Sequence, residues 1–364
     1  MSSMSILSSH DSRRIARHAA AADAARWLHP AQQALAHRRG WLRMLAPRAL
    51  GGLELPLPEV VRLEEAIARL DGSMGWTVTL CAGAGWFAGF LAPGLAREIL
   101  ATRRVCLAGS GAPTGVAERE GEGWRIDGMW DYASGAPMAT HFTFNAVLHE
   151  AGRPLLDAAG QPRVSAFVVP AALVHIVPNW RTIGLRATAS HAYAVRSSWV
   201  HARHGFAIDP GSAREQGPLY RFPFMAFAFV TLAANLAGMG AHFVELAQES
   251  MAQRRHRFGN GEALLAVPAV RAVLDAARDE LEEARTQLYL LLDATWGQVA
   301  RGAQVDAGEA ERLQALSMAW VNAARRAVDT LYPYCGLYAA REDSEINRVW
   351  RDFHTASQHA LLTP

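Results

Sequence analysis

Residues 123–135 read GWRIDGMWDYASG and lie near the middle of a chain of 364 residues. Runs of β-branched and aromatic residues that end at glycine are typical of strands joined by turns. Similar runs recur at residues 105–108, 142–148, 165–169 and 174–177, and glycine or proline separates them. This spacing predicts a compact β-sandwich or barrel between about residues 105 and 208.

Helical patterns lie on both sides of this β region. Before it, residues 60–70 carry apolar side chains at helical spacing, and Asp71-Gly72-Ser73 ends that helix and begins a second, apolar one. After it, helical segments fill residues 219–258, 268–295 and 309–332 and the tail, as expected of an antiparallel bundle. We therefore predict an α+β protein with an N-terminal α-helical domain (1–105), a middle β domain (106–208) and a C-terminal four-helix bundle (209–364).

Composition limits the partners and the compartment. Hydrophobic residues make up 51% of the chain, and the formal net charge is only +2, so nucleic-acid binding is not expected. Three scattered cysteines without a CxxC pair indicate a reducing compartment, and residues 8–17 are too polar for a signal core. Residues 74–92 and 222–244 are apolar enough to resemble membrane spans, but buried bundle helices explain them better. We expect a cytoplasmic protein without a membrane partner.

The C-terminal residues 346–360 read INRVWRDFHTASQHA. On a helix, their apolar residues form one core-facing stripe, and Asp352, Thr355 and His359 lie along one edge of it. His359 then points either into a shared cavity or, as a tail residue, into solvent. Spacing alone leaves both interpretations open.

Familiar catalytic motifs are absent from the sequence. Residues 109–115 do not have the spacing of a dinucleotide fingerprint, and there is no Walker A loop, HExxH or GxSxG motif. His201 and His204 have no partner ligands at metal-like spacing. We therefore expect these two histidines on the surface and no metal site.

Several ordered segments together resemble one family. They are MLAPRALGGLE at 44–54, DGSMGW at 71–76, GWRIDGMWDYASG at 123–135, WRTIGLRATASH at 180–191 and RHRFG at 255–259. These segments resemble motifs of the acyl-CoA dehydrogenase superfamily, and most closely those of its two-component flavin-dependent monooxygenases, the aromatic hydroxylases and dibenzothiophene monooxygenase. Alanines 187 and 189 replace two glycines of the family pattern.

The resemblance implies a flavin, FMN or FAD, that is bound in its reduced form and supplied by a separate flavin reductase. It also implies a homotetramer. In related oxygenases, a histidine seven residues after an Arg-Asp pair lies beside the reacting oxygen, and a serine followed by glycine contacts flavin N5. His359 and Ser134-Gly135 match these positions, and the resemblance assigns catalytic roles to His359 and Ser134. The reaction would pass through a C4a-hydroperoxyflavin.

A dehydrogenase of the same superfamily needs a carboxylate base. In one branch the base stands eight residues after the Asp of the Arg-Asp pair, and here that position is Ala360. In the other branch it lies early in the first bundle helix, and residues 224–231 contain no acid. Unless Glu342 or Glu345 supplies an unrecognised base, the residues favour oxygen activation.

Further contacts follow from the same resemblance. The expected flavin-binding residues are Trp130, Ser134, Gly135, Trp180, Ser190, Arg255 and Phe258, with Arg255 reaching a phosphate across a subunit contact. Both tryptophans could instead be buried in the β domain, and Arg255 could be an ion-paired residue at a helix end. Val267-Pro268 replaces a glutamine common in the family, which leaves FMN and FAD open.

The expected substrate pocket is aromatic, although a buried bundle core would explain the same residues. Its predicted residues are Trp76, Trp86, Phe87, Phe224 and Phe227. The sequence thus predicts a two-component monooxygenase that hydroxylates, or oxidises at nitrogen or sulfur, a small apolar aromatic molecule. The alternatives are an acyl-CoA dehydrogenase or oxidase and a non-catalytic flavin-binding homologue.

Overall fold

The computed structural model describes residues 6–255 and 261–363. Its N-terminal part is helical, with α1 (Ser9–Ala25), α2 (Pro30–Arg39), α3 (Leu57–Ala68), α4 (Gly72–Trp86) and α5 (Pro93–Leu100). Asp71 caps α4, because its carboxylate accepts the Met74 N–H at 3.2 Å. Nearly every residue of α4 is buried, which explains why this helix is apolar on all sides.

One continuous sheet follows. Its strands are β1 (Leu107–Glu120), β2 (Gly123–Ala133), β3 (His141–Glu150), β4 (Arg153–Pro154), β5 (Val164–Pro170), β6 (Val174–Val177), β7 (His191–His201) and β8 (Gly205–Phe206). The strand order is β6-β7-β2-β1-β3-β5-β8, with β4 paired to β3 and with β1 and β3 parallel. Trp124 on β2 lies 6.2 Å from Phe167 on β5, although β1 and β3 separate these strands. The sheet therefore curves strongly around its own aromatic core.

This sheet is neither a sandwich of two sheets nor a closed barrel among the described residues, because β6 and β8 form its two ends. The short strands and regular turns predicted a sandwich or a barrel, and the structure has one strongly curved sheet instead. The predicted order of helical, β and helical parts is confirmed.

The C-terminal part contains α6 (Phe224–Gln253), α7 (Pro268–Ala300), α8 (Ala307–Cys335) and α9 (Glu345–Ala356). Helix α6 packs against α8, α3, α9 and α4. In the described part of the chain, α6 alone has the length and apolar composition of a membrane span, and 78% of its most apolar window is buried inside the protein. Its apolar character is that of a central bundle helix.

Helix α9 ends before the predicted position. Its last helical residue is Ala356, and His359 lies in the turn that follows. The guanidinium of Arg325 donates to the carbonyls of Ser357 at 3.0 Å and Leu362 at 2.6 Å. The first bond satisfies a carbonyl group that a continuing helix would use, and the second holds the turned-back tail against α8. The expected placement of Asp352, Thr355 and His359 on one continuous helix is therefore wrong.

We call residues 180–190 the GLR loop. Substitution of Gly184 in this loop tests its contact with α9. A Cβ atom on Gly184 would lie 1.9 Å from the Arg351 carbonyl oxygen. Gly184→Ala should therefore separate loop and helix and lower the free energy of unfolding by about 1–3 kcal/mol, as measured by urea denaturation. The control is Gly94→Ala, because nothing lies within 4 Å of its added methyl group. Equal effects of the two substitutions would contradict the proposed close contact.

Candidate functional site

Helix α4 brings the end of β2 and the C-terminal turn together through adjacent residues. The Trp76 ring meets the His359 ring edge-on, with centroids 5.7 Å apart. Thr77 and Cys81 face Gly135, since a Cβ there would lie 3.2 Å from the Thr77 methyl group and 2.9 Å from Cys81 Sγ. The structure therefore places His359 and Ser134-Gly135 on neighbouring faces of one helical turn.

A chain of buried hydroxyl groups leads to Ser134. Ser134 Oγ lies 2.8 Å from Ser190 Oγ, and Ser190 Oγ lies 2.7 Å from Thr188 Oγ1. Thr188 in turn donates its proton to the Leu185 carbonyl at 2.8 Å. The predicted residues Ser134 and Ser190 are thus in direct contact, and Thr188 extends the chain. Sequence reasoning missed Thr188, although the Thr-x-Ser spacing within the GLR loop was a signal for it.

The backbone N–H of Gly135 is already engaged. It donates to the Thr188 carbonyl at 2.8 Å, whereas the sequence led us to expect it to point to the flavin beside the Ser134 hydroxyl. Gly135 has φ +75°, and the added Cβ would press on Cys81. Its role in this structure is therefore to turn the chain between α4 and the GLR loop.

Asp352 fixes the GLR loop to α9. Its buried carboxylate accepts the Leu185 N–H at 2.5 Å. Leu185 and Ala189 both have positive φ, at 49° and 44°, a conformation that is strained for residues other than glycine. Ala189 occupies a glycine position of the family motif, so the surrounding hydrogen bonds must hold this backbone in place. Arg351, next to Asp352, pairs with Asp23 of α1 at 2.9 Å.

Burial raises the pKa of Asp352 to about 7, and the negative charges of Asp71 and Asp23 raise it further, against the opposing effects of the Leu185 N–H and Arg348. A carboxyl group with this pKa is partly protonated near neutral pH. Its hydrogen bond to Leu185 persists in both forms, because a protonated carboxyl group still has a carbonyl oxygen that accepts.

His359 is half-buried and neutral at pH 7, since burial lowers the pKa of its imidazole. Its Nδ1 atom accepts the Leu361 N–H at 3.3 Å. In the neutral ring only one nitrogen carries a proton, so this bond assigns the proton to Nε2. His359 can therefore donate a hydrogen bond from Nε2 to an oxygen atom beside Trp76.

Two buried hydroxyl groups, one on α4 and one on α9, have no hydrogen-bond partner among the described residues. They are Thr355 Oγ1, on the last turn of α9, and Ser73 Oγ, one turn before Thr77. Buried polar groups are nearly always satisfied by protein, water or ligand. These orphaned groups, the hydroxyl chain and the His359 donor fit a polar heterocycle such as a flavin.

The predicted aromatic pocket separates into two groups. Trp86 belongs to the core, because it is 1% exposed, donates its indole N–H to the Leu219 carbonyl and stacks on Phe227 at 4.9 Å. Phe227 is 3% exposed and belongs to the same core. By contrast, Phe87 and Phe224 are half-buried, and Trp76 touches His359. For Trp86 and Phe227, the structure favours the alternative of a bundle core.

Half-buried residues on and just after α4 form an apolar wall that is separate from this core. Leu80, Gly83 and Phe87 follow Trp76 at helical spacing and share its face, and none of the three is fully buried. Only the edge of Phe227, at 4.0 Å, would meet a Cβ on Gly83. This wall leads away from His359 and offers apolar surface to a small molecule.

The two tryptophans proposed for flavin binding lie in different environments. Trp130 has no exposed surface, stacks on Tyr193 and donates to the Asn145 carbonyl. A side chain enclosed in the β core cannot touch a ligand, which corrects the expectation for Trp130. Trp180 is half-buried in the GLR loop, and its indole N–H donates to the Leu185 carbonyl at 2.9 Å. Trp180 remains a candidate.

Arg255 lies apart from this site. Arg255 is exposed just beyond α6 and donates to the Gly261 carbonyl at 3.2 Å; it forms no ion pair with the described residues. The 30 residues of α6 span about 45 Å, so Arg255 is remote from the aromatic residues at the start of this helix. Phe258 lies outside the described residues. Within residues 6–255 and 261–363, no group of three His, Cys, Asp or Glu side chains is arranged to hold a metal ion.

The chain is similar to several known proteins in sequence and in fold. The family model described as the acyl-CoA dehydrogenase C-terminal domain matches residues 230–364. A pigment production hydroxylase from a Rhodococcus species is 28% identical over 337 residues, covering 89% of this chain and 83% of that protein. The chain thus resembles the acyl-CoA dehydrogenase-like proteins along most of its length, and the resemblance and the fold predicted from the sequence are confirmed.

Two further similar proteins have solved structures. The flavin-dependent monooxygenase oxygenase subunit HsaA of Mycobacterium tuberculosis is 23% identical, covering 89% of this chain and 83% of its own; its crystal structure has a TM-score of 0.87 over 96% of this chain and 91% of that one. XiaF from a Streptomyces species, solved with FADH2 and glycerol, has a TM-score of 0.86 at 21% identity, covering 97% of this chain and 90% of that one.

Asp352 predicts how stability depends on pH. Because its pKa is about 7 in the folded state and roughly 3.9 in the unfolded state, the folded state binds more protons between these values. Stability should therefore fall as pH rises through this window, by about 2–3 kcal/mol between pH 5 and pH 8. Asp352→Asn keeps an acceptor for Leu185 but cannot titrate, so it should reduce this fall.

The measurement is the midpoint of thermal unfolding at pH 5, 6, 7 and 8. Asp343→Asn is the matched control, because Asp343 is exposed and paired with Arg341. It should keep the pH dependence of the parent chain. If Asp352→Asn also kept the full dependence, Asp352 would not be the titrating group.

Proposed function

We propose that this protein is the oxygenase component of a two-component flavin-dependent monooxygenase that acts on a small apolar aromatic molecule. One observation carries the proposal. The Ser134 hydroxyl chain and the neutral, Nε2-protonated His359 lie on neighbouring faces of the same turn of α4. The relatives support it, since they include a hydroxylase and the oxygenase subunit of a flavin-dependent monooxygenase. Reduced flavin would come from a separate reductase.

When bound, reduced flavin supplies the two electrons that activate oxygen; one oxygen atom enters the substrate and the other leaves as water. Ser134 would hold the flavin at its N5 position. Trp180, which is part of the GLR loop, would line the same site. His359 would donate its Nε2 proton in a hydrogen bond to the reacting oxygen. The apolar wall of Trp76, Leu80 and Phe87 would exclude water from the substrate.

The alternative, a dehydrogenase that removes a proton from an acyl thioester, has less support. Glu345 begins α9 and pairs with Arg348 at 2.8 Å. The 12 residues of α9 place it about 18 Å from the turn that carries His359. Glu342 is exposed and precedes Glu345. Neither glutamate is therefore in a position to remove a proton from a substrate bound beside Trp76.

The proposal includes a homotetramer in the cytoplasm and leaves the choice between FMN and FAD open. In such an assembly the exposed Arg255 would reach a flavin phosphate of another copy, as the resemblance implies. Guanidinium groups suit such phosphate oxygens. Sedimentation with and without reduced flavin would report the assembly.

The decisive experiment supplies chemically reduced FAD or FMN to the purified protein, then oxygen and a panel of phenols, indoles and thiophenes. We expect incorporation of one ¹⁸O atom from ¹⁸O₂ into at least one product. As the contrasting assay, acyl-CoA substrates are mixed anaerobically with protein and oxidised flavin. Bleaching of the flavin there, without oxygen incorporation in the first assay, would replace the proposal by the dehydrogenase.

His359→Ala should uncouple oxygen consumption from product formation, because the hydrogen-bond donor beside the reacting oxygen is lost. We expect about a tenfold or greater loss of product per oxygen consumed, with a matching rise in released hydrogen peroxide. Gln358→Ala is the control, since Gln358 is the exposed neighbour in the same turn. Unchanged coupling in His359→Ala would return His359 to the interpretation of a tail residue.

A further inference from the structure

The hydroxyl chain has a direction that the hydrogen bonds themselves determine. A carbonyl oxygen only accepts, so Thr188 must donate its single hydroxyl proton to the Leu185 carbonyl, 2.8 Å away. Thr188 Oγ1 then has only lone pairs for Ser190, and Ser190 must donate to it. By the same reasoning, Ser134 must donate to Ser190. All three protons point towards Leu185.

Ser134 is therefore left without a proton for any other partner. Its Oγ atom can still accept one hydrogen bond from a ligand, but it cannot donate one. Ser134, Ser190 and Thr188 are all at most 3% exposed, so water does not readily take the place of a missing partner. The Leu185 carbonyl that anchors the chain is itself fixed, because Asp352 holds the Leu185 N–H and Trp180 donates to the same carbonyl.

The two redox forms of a flavin differ at the atom that this serine would meet. Reduced flavin carries a proton on N5 and can donate it, whereas oxidised N5 has only a lone pair. An acceptor-only hydroxyl group forms a hydrogen bond with the first and faces a repelling lone pair in the second. We propose that Thr188 and Ser190 are positioning residues that fix the polarity of the Ser134 hydroxyl and thereby select reduced over oxidised flavin. This inference rests on the proposed function.

The test compares dissociation constants for reduced and oxidised flavin, measured anaerobically by equilibrium dialysis with FAD and with FMN. Thr188→Val keeps the shape of Thr188 but removes the hydroxyl group that accepts from Ser190. Ser134 can then rotate and donate to oxidised N5. We expect the ratio of the oxidised to the reduced dissociation constant to fall about fivefold, the effect of about one net hydrogen bond.

Thr188→Ser is the matched control, because it retains the hydroxyl group and should leave the ratio within about twofold of the parent chain. Ser190→Ala interrupts the same chain at a second point and should lower the ratio in the same direction; it provides the test if Thr188→Val does not fold. A purely structural role of these residues would weaken the binding of both flavin forms equally.

An unchanged ratio in both Thr188→Val and Ser190→Ala would overturn the inference and leave the proposed function standing. A parent chain that binds both redox forms equally would overturn it as well. Failure of the parent chain to bind FAD or FMN in either form would overturn the proposed function together with the inference.

Discussion

The hydrogen bond between the Asp352 carboxylate and the Leu185 N–H joins the last helix to the sheet domain. The two residues are 167 positions apart in the chain, and both are buried. Leu185 is also the end point of the hydroxyl chain from Ser134. The position of α9 and the polarity of the Ser134 hydroxyl group thus depend on one residue, Leu185.

This bond exists at an electrostatic cost. Asp352 lies close enough to Asp71 and Asp23 for both to raise its pKa, and burial of a carboxylate is unfavourable without compensation. Arg351 and Arg186 share Asp23, which offsets part of this cost and ties α1 to the same place. The GLR loop is therefore held from two sides, by α9 and by α1, and this explains how it keeps alanine in a left-handed conformation at position 189.

The sequence was sufficient for the order of helical and β parts, because a switch from a period of 3.6 to a period of 2 is a local property. It was also sufficient to select Ser134, Ser190 and His359 as candidates, through a resemblance carried by short motifs.

The sequence was not sufficient to predict the arrangement of the sheet, since the parallel pairing of β1 with β3 depends on contacts that no local pattern records. It could not separate Trp130 from Trp180 either: both are aromatic residues near strands, and only tertiary packing encloses one and leaves the other half-buried. The early end of α9 had the same cause, because Arg325 of another helix supplies the donors that stop it.

The buried carboxylates near this site already have structural roles, and this limits the chemistry that the site can perform. Asp352 holds Leu185, and Asp71 caps α4 and accepts from Gln32 at 2.5 Å. Glu64 is fully buried, and burial raises the pKa of its carboxyl group well above the usual range. Next to one turn of α4, by contrast, His359 beside Trp76 donates from Nε2, and Ser134, which gives its own proton to Ser190, can only accept from a ligand. In the proposed function, a site built from these two groups would stabilise an oxygen atom on one side and an N–H group on the other, which suits oxygen transfer from a reduced heterocycle better than removal of a carbon-bound proton.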